Sequence, residues 1–218
     1  KRKYQLGEVF GIEMEAASQK EVRRLSGGEQ NKLDLFIGKY FKRKTIVKEE
    51  AKLTIDKIVD LKDGYLDGYW QGEYWFPSVQ AELKDDFSFI EQEKSGDSVY
   101  KDIVKCNSVS IHIRMGDYLE NSTLYGNICT REYYKRGINK IQEYVSDPVY
   151  FIFSDEINKA AELLDGLDID ARYVDRKDTD SGDMRLMSCC KHNIIANSSF
   201  SWWGTWLNRH EDKIVISP

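Results

Sequence analysis

From Ser108 onward the chain alternates between two hydrophobic rhythms. Ser108-Val109-Ser110-Ile111-His112-Ile113-Arg114 switches between polar and apolar at every step, the period of a strand. Arg131 to Tyr144 carries its apolar residues at helical spacing. Val149 to Phe153 is a short unbroken apolar run, which suits a parallel strand covered on both faces. Ser154 and Asp155 then read as caps for a helix running from Glu156 to Leu164, with Gly166 as its stop. A strand at Ala171–Val174, a helix around Met184 to Cys190 and a strand at Asn193–Ala196 follow. Ser198 and Ser199 cap one more helix, through Leu207, and Lys213 to Ile216 forms a last strand. Strand and helix in repeated alternation predict an α/β domain with a doubly wound parallel sheet.

The first half is less regular. Ala16–Leu25 and Asp34–Phe41 read as helices, Tyr65–Trp70 as a strand, and the segment from Pro77 to Leu83 as another helix. The polar stretch Glu91 to Asp97 holds a turn signal at Ser95-Gly96, which places a domain boundary there. Residues 1–95 are then the remainder of a first domain, and 96–218 a second. No run of about 18 apolar residues occurs, so nothing in the sequence reads as a membrane span, and no signal peptide is visible. The chain opens at Lys1 without a methionine and ends at Pro218, so both ends look cut.

Composition narrows the picture further. A net charge of −5 with both signs interspersed is unlike a general nucleic-acid binder, which shows a basic face. It leaves room for a phosphate-bearing small ligand, which needs only a few placed cations. The four cysteines, Cys106, Cys129, Cys189 and Cys190, form no C-x-x-C, and they read as reduced thiols of a cytoplasmic protein. His112, His192 and His210 stand at no metal-ligand spacing, so no metal site is indicated.

In a parallel sheet, ligands bind beyond the carboxyl ends of the strands. Three polar clusters fall at such ends: Arg114-Met115-Gly116-Asp117-Tyr118, Ser154-Asp155-Glu156, and Asn197-Ser198-Ser199-Phe200. Arg114 can fork onto phosphate oxygens. Asp117 can orient Arg114 or a ligand hydroxyl, and a purely structural Arg–Asp pair is the plainer reading. His112 should sit semi-buried and hydrogen-bonded on the same strand face as Arg114. The helix start at Ser198-Ser199 offers an anion site, or simply an N-cap followed by core tryptophans. Trp206 stands beside Trp202 and Trp203 at helical spacing, which favours core. Asn197-Ser198-Ser199 and Asn121-Ser122-Thr123 match the glycosylation acceptor pattern and are read as chance matches. Leu25-Ser26-Gly27-Gly28-Glu29-Gln30 looks like an ATPase signature loop, yet no G-x-x-x-x-G-K-[ST] exists, so it is read as a turn.

Four stretches together resemble the GDP-fucose-dependent α-1,2-fucosyltransferases of glycosyltransferase family 11, especially bacterial members. His112-Ile113-Arg114-Met115-Gly116-Asp117-Tyr118 is similar to the family's H-x-R-R-x-D motif, and Tyr150 to Glu156 to its second motif. Asp183 through Asn208, with His192 to Gly204 at its centre, looks like the third, and Tyr65 to Gln71 resembles a segment of the first domain. The resemblance implies a GT-B-like pair of α/β domains and inversion at the fucose anomeric carbon with GDP-fucose as co-substrate and no metal or other cofactor. It implies that Arg114 contacts the β-phosphate, and that His112, Asp155, Asp183, Asn197, Ser198, Ser199 and Phe200 belong to the donor pocket. The acceptor would be a glycan, galactose-terminated, and a lipid-linked acceptor would bring peripheral association with the inner membrane face. The sequence departs from the pattern at Met115, where the second arginine stands, and a glycine-rich G-x-G-N-Q segment would have to precede Lys1.

For such a transfer, Arg114 and the helix start at Ser198-Ser199 would stabilise the departing diphosphate. A positioned base would take the acceptor proton, with Asp117 as first candidate. Two other classes remain open at this stage. Met115 and the missing start favour a nucleotide- or glycan-binding module with an impaired site. A glycoside hydrolase would need two carboxylates facing one bond, roughly 5 to 9 Å apart. Tyr69, Trp70, Tyr74 and Trp75 are either a stacking surface for a galactoside or aromatic core.

Overall fold

A computed structural model describes residues 4–26, 46–49, 56–90, 97–116, 128–175 and 180–218. It divides into two compact units, Lys1–Asp86 and Phe87–Pro218. The boundary expected near residue 95 lies in 91–96, outside the described residues, as do the helix expected at Asp34–Phe41, Gly27-Gly28 and Asn121.

The first unit contains α1 (Leu6–Phe10), α2 (Gln19–Ser26), β1 (Ile46–Lys48), α3 (Asp56–Val59), β2 (Tyr65–Asp67) and α4 (Gln80–Asp86). β1 and β2 pair in parallel. α2 starts three residues later than the spacing predicts because Ser18 caps it: the Ser18 Oγ accepts from the Glu21 N–H while the Glu21 carboxylate reaches back to the Ser18 N–H. The helix expected from Pro77 begins as a 3-10 turn, Pro77–Val79, before α4.

The second unit holds α5 (Ser98–Ile103), β3 (Asn107–Ile113), α6 (Arg131–Gln142), β4 (Pro148–Ser154), α7 (Ile157–Leu164), β5 (Asp170–Tyr173), α8 (Asp180–Cys189), β6 (His192–Ile194), α9 (Ser199–Trp206) and β7 (Val215–Ile216). Its five strands are all parallel, in the order β5-β4-β3-β6-β7. The chain builds outward from β3 to β5, then returns to the other side of β3 with β6. The order therefore reverses between β3 and β6, the switch point where such sheets take their ligands.

Both faces of this sheet are covered, as the apolar runs predict. Val109, Ile111, Ile113, Tyr150 and Ile152 pack on one side against Tyr134, Ile138 and Ile141 of α6 and Ala160 and Leu164 of α7. Phe151 and Phe153 pack on the other against Ile103 of α5 and Leu186 and Met187 of α8. Trp206 is buried and lies against both Trp202 and Trp203, as the helical spacing implies.

A polar network crosses the buried interior beneath the switch point. Asn193 of β6 donates through Nδ2 to the Ser110 Oγ at 2.7 Å and to the Met187 carbonyl at 2.9 Å. Its Oδ1 accepts from Asn208 Nδ2 at 2.7 Å, and Asn208 also donates to the Cys190 carbonyl. Buried amides that are fully paired in this way fix geometry, whereas an unpaired one costs stability. The network ties β3, β6, α8 and the end of α9 into one frame. Cys190 is buried and its thiol is pushed well up by burial, while Cys106, Cys129 and Cys189 are partly buried and free.

Candidate active site

The site forms where β3, β4 and β6 end. Arg114 follows β3 directly, and its Nη1 lies 3.0 Å from Asp155 Oδ2, with each side chain 27% exposed. Asp155 also accepts from the backbone: Met115 N–H reaches its Oδ1 at 2.9 Å and Gly116 N–H its Oδ2 at 3.0 Å. One carboxylate thus holds a guanidinium and two peptide groups of the loop leaving β3. This corrects the expectation that Asp155 caps the helix after β4. The N-cap of α7 is Glu156, without a side-chain hydrogen bond, and the Ser154 Oγ accepts from the Glu156 N–H. The local pattern fits a cap, but the neighbouring strand supplies Asp155 with a charged partner, and charge-assisted bonds are the stronger. Asp117, expected to orient Arg114 and serve as base, lies outside the described residues.

Gly116 is part of the clamp. A Cβ there would stand 2.6 Å from Asp155 Oδ2, an atom already tied to Arg114 and the Gly116 N–H. The carboxylate must let go for a methyl to enter. Gly116→Ala should therefore behave like the loss of the charged hydrogen bond to Arg114, worth roughly 1.5–3 kcal/mol, or about 10- to 100-fold in any function that uses that side chain. Comparing the kinetic constants of Gly116→Ala with those of wild type checks this, and equal constants would show that the clamp does not matter. Met115, where the resemblance expects a second arginine, packs against the core face formed by β3 and α6.

His112 is 4% exposed, and its ring lies 5.4 Å from that of Phe200 at the start of α9. Its Nδ1 is buried without a hydrogen-bond partner among the described residues, so the expectation of a semi-buried, hydrogen-bonded histidine is corrected. Burial holds its pKa down to about 4, with Asp155 pulling upward and Arg114 downward. The imidazole is neutral at pH 7.

Beyond β6 the chain turns sharply at Ala196, whose carbonyl accepts from the Ser198 N–H at 2.7 Å. Asn197 is half-buried, and its N–H donates to Cys129 Sγ at 3.2 Å, pinning the turn to the residues before α6. Ser198 is the N-cap of α9, its Oγ accepting from the Phe200 N–H. That bond uses one acceptor lone pair of the hydroxyl and leaves its single O–H donor unspent. Ser199 is exposed in the first turn, and Phe200 is half-buried. Asp183 lies half-buried in the first turn of α8, which packs along α9.

The structure thus brings a clamped arginine, a neutral buried histidine and a serine-capped helix start to the reversal point of one parallel sheet. Fixed donors of this kind have the chemistry to bind a phosphate-bearing ligand. Residues 29–218 match the family model for glycosyl transferase family 11, and the chain belongs to that family. It is 37% identical over 157 residues to an alpha-1,2-colitosyltransferase of Escherichia coli, covering 69% of this chain and 53% of that protein. An O-antigen biosynthesis glycosyltransferase of the same organism is 40% identical over 126 residues, 55% of this chain and 41% of the relative. The galactoside alpha-(1,2)-fucosyltransferase 1 of Rattus norvegicus is 25% identical over 103 residues, 45% of this chain and 27% of its own length. The chain spans about half the length of the first two relatives or less. Among solved structures, POFUT1 in complex with GDP-fucose aligns with 70% of this chain and 52% of its own, at 14% identity and a TM-score of 0.44. No helix of the described residues is long and apolar enough to cross a membrane.

Proposed function

We propose that this chain is the donor-binding part, with some of the acceptor side, of an inverting glycosyltransferase that moves L-fucose from GDP-fucose to a galactoside hydroxyl in α-1,2 linkage. The observation that carries the reading is the Arg114–Asp155 clamp at the end of β3, with the serine-capped α9 following the neighbouring strand β6 across the switch point. As the bond from the anomeric carbon to the β-phosphate oxygen lengthens, charge moves onto the diphosphate. A guanidinium already held in place, and helix N–H groups that cannot reorient, meet that charge without reorganisation. Ser198 donates its hydroxyl proton to the same oxygens, and the reading needs no divalent metal. His112, neutral and against Phe200, lines the pocket as an uncharged surface. The acceptor hydroxyl attacks from the opposite side and gives its proton to a base; Asp117 remains the candidate. The two units are read as the GT-B-like pair, and a lipid-linked acceptor would place the protein at the inner membrane face.

A second donor sugar has its own support. The 37%-identical relative is named for the transfer of colitose, so colitose in place of fucose is the alternative at the same site. Incubation with GDP-fucose or GDP-colitose, each with a β-galactoside and a chelator, separates the two. A product whose two-dimensional NMR spectrum shows fucose on O2 of galactose supports the first reading. Transfer of colitose alone supports the second, and free GDP without glycoside would point to hydrolysis.

A further inference from the structure

The first unit carries an aromatic surface that the donor chemistry does not use. The sequence left open whether Tyr69, Trp70, Tyr74 and Trp75 are core or sugar platform, and the structure splits them. Trp70 and Trp75 are half-buried and meet edge to face at 4.9 Å, whereas Tyr69 is 87% and Tyr74 63% exposed. Scattered surface aromatics need no explanation, but these are held by a specific arrangement.

Tyr74 lies directly over Gly72: a Cβ on Gly72 would fall 2.0 Å from the ring, so only glycine allows it to rest on the backbone. The ring leans against Trp75 at 4.8 Å. Trp70 has a φ of 53°, a left-handed conformation that a bulky side chain rarely takes. It is held there by Glu49, whose Oε2 accepts from the Tyr69 N–H at 2.8 Å and the Trp70 N–H at 2.9 Å. Gly68 makes room for that carboxylate, since a Cβ there would meet the Glu49 Cβ at 2.4 Å. Those backbone hydrogen bonds, Trp70's first, hold the Glu49 carboxyl below its ordinary pKa, so it is ionised at neutral pH. A strained turn retained at such a cost points to a role.

Exposed rings on a segment whose backbone is anchored by a fixed carboxylate suit a sugar with one apolar face and hydroxyls along its edge. In galactose the axial O4 leaves C3, C4 and C5 presenting hydrogens on one side, a surface that an aromatic ring covers. We propose that Tyr74 and Tyr69 form a stacking platform for a galactopyranoside, with Glu49 accepting hydrogen bonds from its hydroxyls. The choice of sugar rests on the transferase reading above.

Saturation-transfer NMR with methyl β-D-galactopyranoside tests it on the whole chain, with GDP titrated into the same samples. Saturation should concentrate on H3, H4 and H5. It should drop about 2- to 10-fold in Tyr74→Ala and in Tyr69→Ala, and persist in Tyr74→Phe, which keeps the ring. Tyr69 is so exposed that its truncation leaves packing intact, so a loss there reports on the sugar. Undiminished saturation in both alanine variants overturns the platform. So does a wild-type protein that binds GDP and shows no galactoside contact, with the donor site left standing. Galactoside contact at the tyrosines without GDP binding supports the platform and removes the donor reading.

Discussion

Replacing Arg114 by alanine is expected to lower kcat/KM for sugar transfer by about 100- to 1000-fold, the usual cost of removing one preorganised donor to a developing anion. The structure makes the loss twofold in kind. On the proposed function the cation that meets the diphosphate disappears, and among the described residues Asp155 keeps only the Met115 and Gly116 N–H groups to offset its charge. A double variant, Arg114→Ala with Asp155→Asn, should therefore recover part of the activity lost in Arg114→Ala alone, because it removes the exposed anion. Arg114→Lys should restore the charge but not the fork, and so fall between. Steady-state kinetics of the four proteins decide it. A double variant no more active than Arg114→Ala would show that Asp155 acts on something other than Arg114.

The second large effect is on stability and comes from His112. Its unfolded pKa is near 6.5 and its folded value about 4, chiefly because burial disfavours the charged ring. Between those values the unfolded chain binds a proton that the folded chain refuses. The unfolded state thus holds more protons, and stability rises with pH across that window. The contribution is complete above pH 6.5 and is lost as pH falls toward 4, to a total of about 3 kcal/mol for a shift of this size. Urea unfolding at pH 7.5 and pH 5 should show wild type losing about 2 kcal/mol more than His112→Gln. His192, also lowered by burial, is present in both proteins and cancels in the difference. Parallel behaviour of the two proteins would mean that the ring is not held neutral.

The sheet was largely legible because its strands carry their burial in their spelling. Val109, Ile111 and Ile113 alternate with Ser110 and His112, and all lie in β3. The strand ends were legible for the same reason, so Arg114 and Ser198 fall where the reading places them. What the pattern could not carry is pairing across the sheet. Asp155 sits where a helix cap belongs, and only the register that sets Ile113 beside Ser154 brings it to Arg114, some 40 residues back along the chain. Asn193 reads as an ordinary strand residue, yet it joins Ser110 and Asn208 because β6 returns to lie against β3. Alternation announces parallel strands without saying in which order they assemble, and the order is what creates the switch point. His112 departs from expectation for a related reason: a histidine on a strand face normally finds a partner, whereas the Nδ1 of this one has none among the described residues and its ring lies against Phe200.

On the proposed function the ends of β3 and β6 receive a guanosine diphosphate. Calorimetric titration of GDP and ADP into the chain, with a chelator present, measures it most directly. The account predicts saturable GDP binding and markedly weaker ADP binding, with no requirement for added metal. Equal affinity for the two nucleotides, or no heat from GDP with the protein folded, would contradict it.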